Sequence, residues 1–286
     1  MPELKNVVVV GAGTMGSQIA LQTALSGRYQ VTLVDSAPGQ LERARAQNRK
    51  LMDRAVEKGR LTETAALAAL DRIKDDADLK AAAADADIVI EAVFEDFDAK
   101  KNVFTALGER ARKDAILASN SSTIGISRLA GFAGHPERCC NMHFFHPVTV
   151  MQLCEVVRGP QTSEATAQAA MEFVRSIDRT PVLLQKEIWG FIVNRILFAA
   201  SEEAIRLLEA GVASAEDIDI AVQKGLNWPM GPFHLLDFSG LDIFYGAMRD
   251  RHRQGEGGEA PDVLRKLVEA GHLGRKSGKG FFEYPG

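Results

Sequence analysis

The stretch Val7-Val8-Val9-Val10-Gly11-Ala12-Gly13-Thr14-Met15-Gly16 decides the fold. Four consecutive valines predict a strand that is buried on both faces, and the glycines that follow have the spacing G-x-G-x-x-G. In this arrangement Gly11 makes the tight turn, Gly13 lets the backbone approach a pyrophosphate, and Gly16 permits close packing of the next helix. We therefore predict a Rossmann-type βαβ unit whose first helix presents its amino end to a dinucleotide.

An acidic residue further along the chain completes this motif. Asp35 ends the second predicted strand, about 20 residues after the glycines, as the motif requires. A carboxylate there accepts the two ribose hydroxyls and repels a 2′-phosphate, so the pattern favours NAD over NADP. The competing interpretation is a glycine turn followed by an unrelated aspartate. The predicted cofactor-binding residues of this motif are Gly11, Gly13, Thr14, Met15, Gly16 and Asp35.

Composition narrows the class of protein. The chain has 286 residues, of which 46% are hydrophobic, and a formal net charge of -4, which argues against a dedicated nucleic-acid binder. Cys139, Cys140 and Cys154 match neither a disulfide framework nor a metal site, so we expect buried free thiols and no metal. No apolar run reaches the length of about 18 residues that a membrane span needs, and the first strand begins without a leader. We expect a complete cytoplasmic protein whose partners are small molecules.

The first part of the chain alternates β-branched runs with alanine-rich helical stretches, which is typical of a parallel sheet covered by helices. The predicted strands are Asn6–Val10, Gln30–Val34, Ile88–Val93, Ile116–Ser119 and Cys140–Phe145. Between the second and third of them, residues 37–86 have apolar residues at helical spacing and predict an inserted pair of helices with a turn at Gly59. From Trp189 onward the periodicity is helical. We therefore predict an α/β Rossmann-type domain over residues 1–186 and an all-α domain over residues 187–286.

A histidine and a glutamate form the candidate catalytic pair. His143 lies in the apolar run Met142–Phe145, and imidazole, with an unperturbed pKa of about 6.5, suits proton transfer at neutral pH. Glu155 interrupts a second apolar run, residues 151–157, where a buried carboxylate needs a partner. A turn at Pro147 can bring the two side chains together, so that the carboxylate holds the imidazole tautomer. Spacing alone supports equally an edge-strand glutamate and a histidine packed in the core.

Five segments of the sequence carry a resemblance to a known family. They are Ser119–Thr123, His143–Val157, Gly190–Arg195, Pro229–Phe233 and Gly274–Phe281. In this order they are similar to the motifs of the (S)-3-hydroxyacyl-CoA dehydrogenase family, which includes 3-hydroxybutyryl-CoA dehydrogenases, and the similarity extends over nearly the whole chain. The resemblance implies an NAD-dependent interconversion of an (S)-3-hydroxyacyl-CoA and a 3-oxoacyl-CoA.

The resemblance also implies roles for particular residues. The family's catalytic base falls on His143 and its orienting carboxylate on Glu155. Its serine that bonds the substrate oxygen falls on Ser122, and its helical asparagine near the thioester falls on Asn194. Neutral polar side chains at these two places suit an oxygen on which charge develops. Outside this context Ser122 is more often a helix cap, and Asn194 is more often a surface or capping residue.

Further residues are assigned by the same resemblance to the cofactor and the acyl-CoA substrate. Glu95 and Lys100 become neighbours of the nicotinamide half of NAD, although Glu91 at a strand end competes with Glu95, and either acid can simply face water. The inserted helices are rich in basic residues, of which Lys58 is the best candidate to contact the phosphates of coenzyme A. A solvated, charged helix face explains the same residues equally well.

His146 is a departure from the family, most members of which have asparagine at this place. Either it alters substrate orientation and pH response, or it is a harmless hydrogen-bonding substitute, which is the interpretation that we prefer.

The resemblance further implies a homodimer formed through the helical domain. Two alternatives remain: a dehydrogenase of a free hydroxy acid or sugar acid on the same fold, and a non-catalytic NAD-binding protein, against which the presence of both His143 and Glu155 argues.

Overall fold

Two compact units make up the chain in the computed structural model, which describes residues 4–284. The first unit extends to Phe191 and contains a β-sheet with helices, and the second begins at Ile192 and is helical. This architecture confirms the predicted Rossmann-type domain with inserted helices, followed by an all-α domain. The change of unit follows Phe191, whereas the sequence placed the boundary after residue 186.

The sheet of the first unit has eight strands. In chain order they are β1 Asn6–Val10, β2 Gln30–Val34, β3 Ile73–Asp76, β4 Ile88–Glu91, β5 Ile116–Ser119, β6 Cys139–Phe144, β7 Leu153–Arg158 and β8 Thr180–Leu184. Their order across the sheet is β3-β2-β1-β4-β5-β6-β7-β8. Strands β1 to β6 are parallel, β6 and β7 form an antiparallel hairpin, and β8 is parallel to β7.

Helices connect these strands and build the second unit. In the first unit they are α1 Thr14–Leu25, α2 Gln40–Glu57, α3 Glu63–Asp71, α4 Leu79–Ala83, α5 Phe97–Arg110, α6 Ser127–Ala130 and α7 Glu164–Ser176. In the second unit they are α8 Val193–Glu209, α9 Ala215–Leu226, α10 Pro232–Ser239, α11 Leu241–Arg253 and α12 Asp262–Glu269. Within residues 4–284 no helix combines the length and the apolar character that crossing a membrane requires.

Apolar residues on alternate positions of the central strands build a core on each face of the sheet. Val7 and Val9 belong to one core, and Val8 and Val10 belong to the other. Because successive side chains of a strand point to opposite faces, a strand that is covered on both sides needs an unbroken apolar run. The burial predicted from the four valines is confirmed, and their strand lies inside the sheet between β2 and β4.

Strands β3 and β8 lie at the two edges of the sheet and are absent from the sequence prediction. Both are only partly buried, so neither needs the apolar run that reveals an inner strand. Strand β8 even contains Pro181, which an edge position tolerates because no ladder hydrogen bond is lost there.

The predicted ends also shift: β4 stops at Glu91 instead of Val93, because the Glu91 side chain accepts the amide hydrogen of Val93 at 2.7 Å. Strand β6 begins at Cys139 and ends at Phe144, one residue earlier than predicted at each end.

The predicted helical insertion is present as α2 and α3. Helix α2 ends with Lys58 as its C-cap, and Gly59 follows at φ +64°, a conformation that favours glycine. Thr62 caps α3 by accepting a hydrogen bond from the amide of Ala65 at 3.2 Å. The rest of residues 37–86 is not a simple helical connection, because β3 and α4 also lie there.

Two buried aspartates hold segments of the second unit together. Asp219 of α9 accepts hydrogen bonds from the amides of Phe233 and His234, in the first turn of α10, at 2.8 and 2.9 Å. Asp237 of α10 accepts bonds from the amides of residues 281 and 282 at 3.0 and 2.9 Å. Charged acceptors of this kind satisfy amides that have no partner within their own segment. The sequence motifs around these amides are therefore explained by the fold.

The three cysteines are buried free thiols, as the sequence predicted. Burial raises the pKa of Cys139 to about 12, and it also raises the pKa values of Cys140 and Cys154. Because the thiolate is the reactive form, we expect no thiol of the native protein to react with a disulfide reagent at about pH 8. All three should react after unfolding in guanidinium chloride. Rapid modification of the folded protein would show that this burial is wrong.

Candidate active site

The glycines of the first turn have the geometry that the motif requires. Gly11 has φ +101°, and a Cβ atom there would lie 2.6 Å from the carbonyl oxygen of Ala92. A Cβ atom on Gly16 would lie 1.8 Å from the carbonyl oxygen of Gly11, so α1 can pack here only without a side chain. Gly13 differs, because no atom lies within 4 Å of the position that its Cβ would take. The backbone at the amino end of α1 is therefore open to a ligand.

A cavity of about 840 Å³ opens at this turn. Its wall lies at the carboxyl ends of β1, β2, β4, β5 and β6, where open parallel sheets bind ligands. The wall contains the predicted site residues Gly11, Gly13, Thr14, Met15, Asp35, Glu95, Lys100, Ser122 and His143. Its volume is within the range of cofactor sites, and the open backbone at the glycine turn fits a pyrophosphate.

Asp35 lines the cavity with both carboxylate oxygens bonded to backbone amides. Oδ2 accepts a hydrogen bond from Ala12 and Oδ1 accepts one from Ala37, each at 2.8 Å. These two bonds fix the orientation of the carboxylate. Each oxygen retains a second lone pair, so the carboxylate can still accept hydrogen bonds from ribose hydroxyls. Gln40, which sequence reasoning missed, lies in the same wall and donates from Nε2 to the carbonyl oxygen of Ala12 at 2.7 Å. Its place at the start of α2, shortly after Asp35, was the available signal.

His143 and Glu155 face each other across the hairpin of β6 and β7. They are directly paired in the strand register, and His143 Nδ1 lies 2.8 Å from Glu155 Oε2. Their side chains are 7% and 1% exposed, and a hydrogen bond to a carboxylate is strong in such an interior. The pairing, which spacing alone supported only as strongly as an edge-strand glutamate and a core histidine, is therefore present in the structure. Because Nδ1 is bonded to the carboxylate, Nε2 is the ring nitrogen that can exchange a proton with a ligand.

Two phenylalanines enclose the imidazole. The centre of the Phe145 ring lies 4.4 Å from that of His143, and the centre of the Phe191 ring lies 5.5 Å from it. Phe191 is buried and has φ +51°, a conformation that is rare for a bulky side chain. Apolar rings packed against the imidazole restrict the orientations that it can take.

A buried charge cluster contributes Glu95 and Lys100 to the cavity wall. Lys100 is 1% exposed, and its Nζ lies 2.8 Å from Glu91 Oε1, 3.2 Å from the carbonyl oxygen of Val93 and 3.3 Å from Glu95 Oε2. Glu91 is fully buried and also accepts a hydrogen bond from Ser119 Oγ at 2.6 Å, so the alternative in which Glu91 faces water is wrong. Burial raises the pKa of Glu91. Burial acts in the same direction on Glu95, but Lys100 and nearby donors outweigh it and lower the pKa of Glu95.

Glu95 fixes the loop that carries Ser122. Its Oε1 atom accepts hydrogen bonds from the amides of Ser122 and Thr123 at 3.1 and 3.0 Å, and from the hydroxyl groups of Ser121 and Thr123. A single carboxylate that collects these donors holds the loop in one geometry. Ser122 caps no helix of the described chain, because the next helix begins at Ser127. The alternative interpretation of Ser122 as a helix cap is therefore wrong.

Asn120 is a second residue of the cavity wall that sequence reasoning missed. Its side-chain Oδ1 accepts a hydrogen bond from the backbone amide of Phe144 at 2.9 Å, and its backbone amide donates to the carbonyl oxygen of Glu91 at 2.8 Å. It thereby joins the ends of β4 and β6, on either side of its own strand. Its position directly after the buried strand β5 was the available signal, because ligands bind at this edge of a parallel sheet.

Three further residues singled out in the sequence lie outside the cavity wall. Lys58 is exposed at the end of α2. Asn194 lies in the first turn of α8, in the second unit, and the capping residue of that helix is Ile192. His146 is exposed in the hairpin loop, where its peptide bond to Pro147 is cis. Roles of these residues in substrate binding stay predictions.

The sheet order, the glycine turn and the His143–Glu155 pair together define a dinucleotide-dependent dehydrogenase of the Rossmann class. Residues 6–188 match the model of the NAD-binding domain of 3-hydroxyacyl-CoA dehydrogenase, and residues 190–284 match the model of its C-terminal domain. The chain therefore belongs to the 3-hydroxyacyl-CoA dehydrogenase family, and its cofactor is NAD.

The matches with individual relatives cover nearly the full length of both chains. The 3-hydroxybutyryl-CoA dehydrogenase of Bradyrhizobium diazoefficiens is 40% identical, over 99% of this chain and 96% of that protein. The crystal structure of (S)-3-hydroxybutyryl-CoA dehydrogenase from Ralstonia eutropha has 36% identity and a TM-score of 0.93, and the match covers 99% of this chain and 100% of that one. A diketoreductase with dicarbonyl substrates has 34% identity and a TM-score of 0.88, with 99% and 100% of the two chains covered. These similarities confirm the resemblance inferred from the sequence motifs.

Proposed function

We propose that the protein oxidises an (S)-3-hydroxyacyl-CoA to the 3-oxoacyl-CoA and catalyses the reverse reduction, with 3-hydroxybutyryl-CoA as the first substrate to test. The observation that carries this proposal is the buried His143–Glu155 pair at the cavity that begins at the glycine turn. Oxidation of a secondary alcohol needs a base at this place to accept the hydroxyl proton. The relatives named 3-hydroxybutyryl-CoA dehydrogenase support the choice of an acyl-CoA.

In the oxidation direction, His143 accepts the proton of the 3-hydroxyl group at Nε2. Glu155 holds Nδ1, so it selects the tautomer in which Nε2 is unprotonated and stabilises the imidazolium that forms. Because both side chains are buried, Glu155 rather than water balances the positive charge on the ring. In the reduction direction the same nitrogen returns the proton to the oxygen.

Neutral side chains orient the substrate. Ser122 bonds the reacting oxygen from the loop that Glu95 fixes, and a hydroxyl group can follow that oxygen as it changes between alcohol and carbonyl. Asn194 positions the thioester side, as the family resemblance implies. NAD, when bound, supplies the acceptor for the hydride that leaves carbon 3.

The glycine turn and Asp35 hold the cofactor at its pyrophosphate and adenosine ribose, and Glu95 and Lys100 adjoin its nicotinamide half. The Asp35 carboxylate is already oriented by two amides, so it can accept ribose hydroxyls without a further ordering cost. Its negative charge repels the 2′-phosphate of NADP. Lys58 and other basic residues of α2 contact the phosphates of coenzyme A.

Replacing Asp35 with alanine should raise the KM for NADH by about 10- to 100-fold, the usual worth of hydrogen bonds to a charged acceptor. The preference for NADH over NADPH should narrow, because the repulsion of the 2′-phosphate is lost. Initial rates with each cofactor at a fixed acyl-CoA concentration measure both effects. Ser36→Ala, in the adjacent part of the same wall, is the matched control. An unchanged cofactor preference in Asp35→Ala would remove Asp35 from this role.

We further propose a cytoplasmic homodimer. Large apolar side chains are exposed in the helical unit, as a surface for a second copy requires, and the family resemblance makes a second copy the expected partner. The most exposed of them are Ile196, Val212, Leu226, Phe238 and Ile243. The buried free thiols suit a reducing compartment. Sedimentation equilibrium should give twice the mass of the chain, and a monomer at micromolar concentration would contradict the dimer.

A dehydrogenase of a free hydroxy or oxo compound is the second candidate. The observation in its favour is the diketoreductase, which shares this fold over the whole chain. Such an enzyme would use the same base and the same cofactor, but the phosphates of coenzyme A would add nothing to its substrate affinity. The two candidates therefore differ in one measurable property, the dependence of kcat/KM on coenzyme A.

NADH oxidation with acetoacetyl-CoA, free acetoacetate and a diketone as parallel substrates distinguishes these functions. We expect turnover with acetoacetyl-CoA and NADH, and at least about 100-fold lower kcat/KM with either free compound, because remote binding energy from coenzyme A is lost. Higher kcat/KM with a free compound would establish the second candidate. Tight NADH binding without turnover of any substrate would leave a non-catalytic NAD-binding protein.

A further inference from the structure

The loop that joins β6 to β7 is held by side chains from outside the hairpin. Val148 is fully buried in this loop, and both of its backbone groups are bonded to side chains. Gln18 Oε1 of α1 accepts the hydrogen of the Val148 amide at 2.9 Å, and Arg179 Nε donates to the Val148 carbonyl oxygen at 2.9 Å. The position of this loop is therefore set jointly by α1 and by the residue that precedes β8.

A second glutamine of α1, Gln22, extends this network beyond Arg179. Arg179 Nη2 donates to Gln22 Oε1 at 2.6 Å, and Gln22 Nε2 donates to the carbonyl oxygen of Ile177 at 2.8 Å. Gln18 and Gln22 are one helical turn apart on α1, and Thr14, one turn before Gln18, lies in the cavity wall. One face of α1 thus runs from the candidate cofactor site to Arg179.

The network has features that packing alone does not explain. Gln18, Gln22 and Arg179 are each more than nine-tenths buried. The Arg179 guanidinium donates to Gln22 Oε1 and to two backbone carbonyl oxygens, and none of these three acceptors is charged. Burying such groups is costly, and well-packed apolar residues usually serve stability better. A satisfied polar network, in contrast, specifies one geometry because its hydrogen bonds are directional.

That geometry fixes the end of the strand that carries the base. Only residues 144–147 separate His143 from Val148, and β6 ends at Phe144. A loop that slides along α1 would therefore move the imidazole relative to the glycine turn. Hydride and proton transfer are sensitive to such movement, because a shift of about 1 Å can cost about 100-fold in rate.

We propose that Gln18, Gln22 and Arg179 are positioning residues that set the location of His143 relative to the amino end of α1, and thereby to the bound cofactor. The inference rests on the proposed role of His143 as the base. None of the three residues belongs to the cavity wall, so they are proposed to act on the reaction through the position of the hairpin and not by touching a ligand.

Gln18→Leu and Thr23→Val form a matched pair of variants that tests this inference. Thr23 is equally buried on α1, but its hydroxyl bonds only to the carbonyl oxygen of Ile19 in the same helix. We expect Gln18→Leu to lower kcat by about tenfold or more and to speed hydrogen exchange in residues 145–152, with the Kd for NADH within about twofold of wild type. Thr23→Val should leave kcat and this exchange unchanged.

Arg179→Lys tests the same loop from the other side, because a lysine cannot reach Val148 and Gln22 with one rigid fork. The double variant with Gln18→Leu should lose little more kcat than either single variant, since both act through Val148. The inference would be overturned if Gln18→Leu lowered thermal stability but left kcat and the hydrogen exchange of residues 145–152 as in the wild type. Wild-type activity in His143→Gln is a different result, which would overturn the proposed function instead.

Discussion

Replacing His143 with glutamine should lower kcat for acetoacetyl-CoA reduction by about 10²- to 10⁴-fold, the usual contribution of a general acid or base. Glutamine keeps a polar side chain that can bond to Glu155, but it cannot exchange a proton at neutral pH. The Kd for NADH should stay within about twofold of wild type, because the imidazole is not needed to hold the dinucleotide. Steady-state rates and NADH fluorescence titration measure the two quantities separately.

His146→Asn is the matched control for this variant. His146 lies in the same hairpin, but it is exposed and outside the cavity wall. We expect its kcat to remain within about threefold of wild type, in agreement with a harmless hydrogen-bonding substitute. Equal losses in both variants would mean that the hairpin, and not the imidazole of His143, limits turnover.

Replacing Lys100 with methionine should destabilise the protein by about 3–5 kcal/mol, because it leaves a buried glutamate without its partner. Lys100 and Glu91 are both almost fully buried, and their charged atoms lie 2.8 Å apart. Guanidinium chloride unfolding at pH 7 measures the free energy of unfolding. Lys101→Met is the control, since Lys101 makes only a cation–π contact with Phe132 and should cost less than about 1 kcal/mol.

The loss in Lys100→Met should depend on pH in a definite direction. Burial already raises the pKa of Glu91, and Lys100 opposes this rise, so removing the lysine raises that pKa further. A folded-state pKa above the unfolded value costs nothing at low pH, where both states hold the proton, and costs stability as pH rises through the folded value. The difference from wild type should therefore shrink in acid and grow toward alkaline pH. A difference that is constant with pH would mean that Glu91 is not left charged and buried.

The candidate site was predictable where a polar residue of catalytic type interrupts an apolar run that has the pattern of a buried strand. An apolar run with a single histidine, a turn at Pro147 and a second apolar run with a single glutamate predict a hairpin, and a hairpin allows only a few registers. The observed register pairs His143 directly with Glu155. The glycine turn was equally readable, because only glycine fits the geometry at Gly11 and Gly16.

Other features gave no signal in the hydrophobic pattern of the sequence, because tertiary contacts create them. The edge strands β3 and β8 lack the apolar run of an inner strand, so pattern reasoning missed both. Gln40 and Asn120 reach the cavity wall through bonds to distant backbone groups, which no local periodicity encodes. Lys100 lies in the cavity wall, but its buried bond to Glu91 was not predicted, because a lysine's position on a helix does not reveal its burial.

The central claim is that the protein transfers a hydride between NAD and carbon 3 of an acyl-CoA. Mass spectrometry of the product made from acetoacetyl-CoA and NADH deuterated at both C4 positions, in ordinary water, tests it most directly. We predict 3-hydroxybutyryl-CoA that carries one deuterium at carbon 3. A product without deuterium would contradict the claim. So would the absence of product from acetoacetyl-CoA when a free oxo compound is reduced and takes up the deuterium.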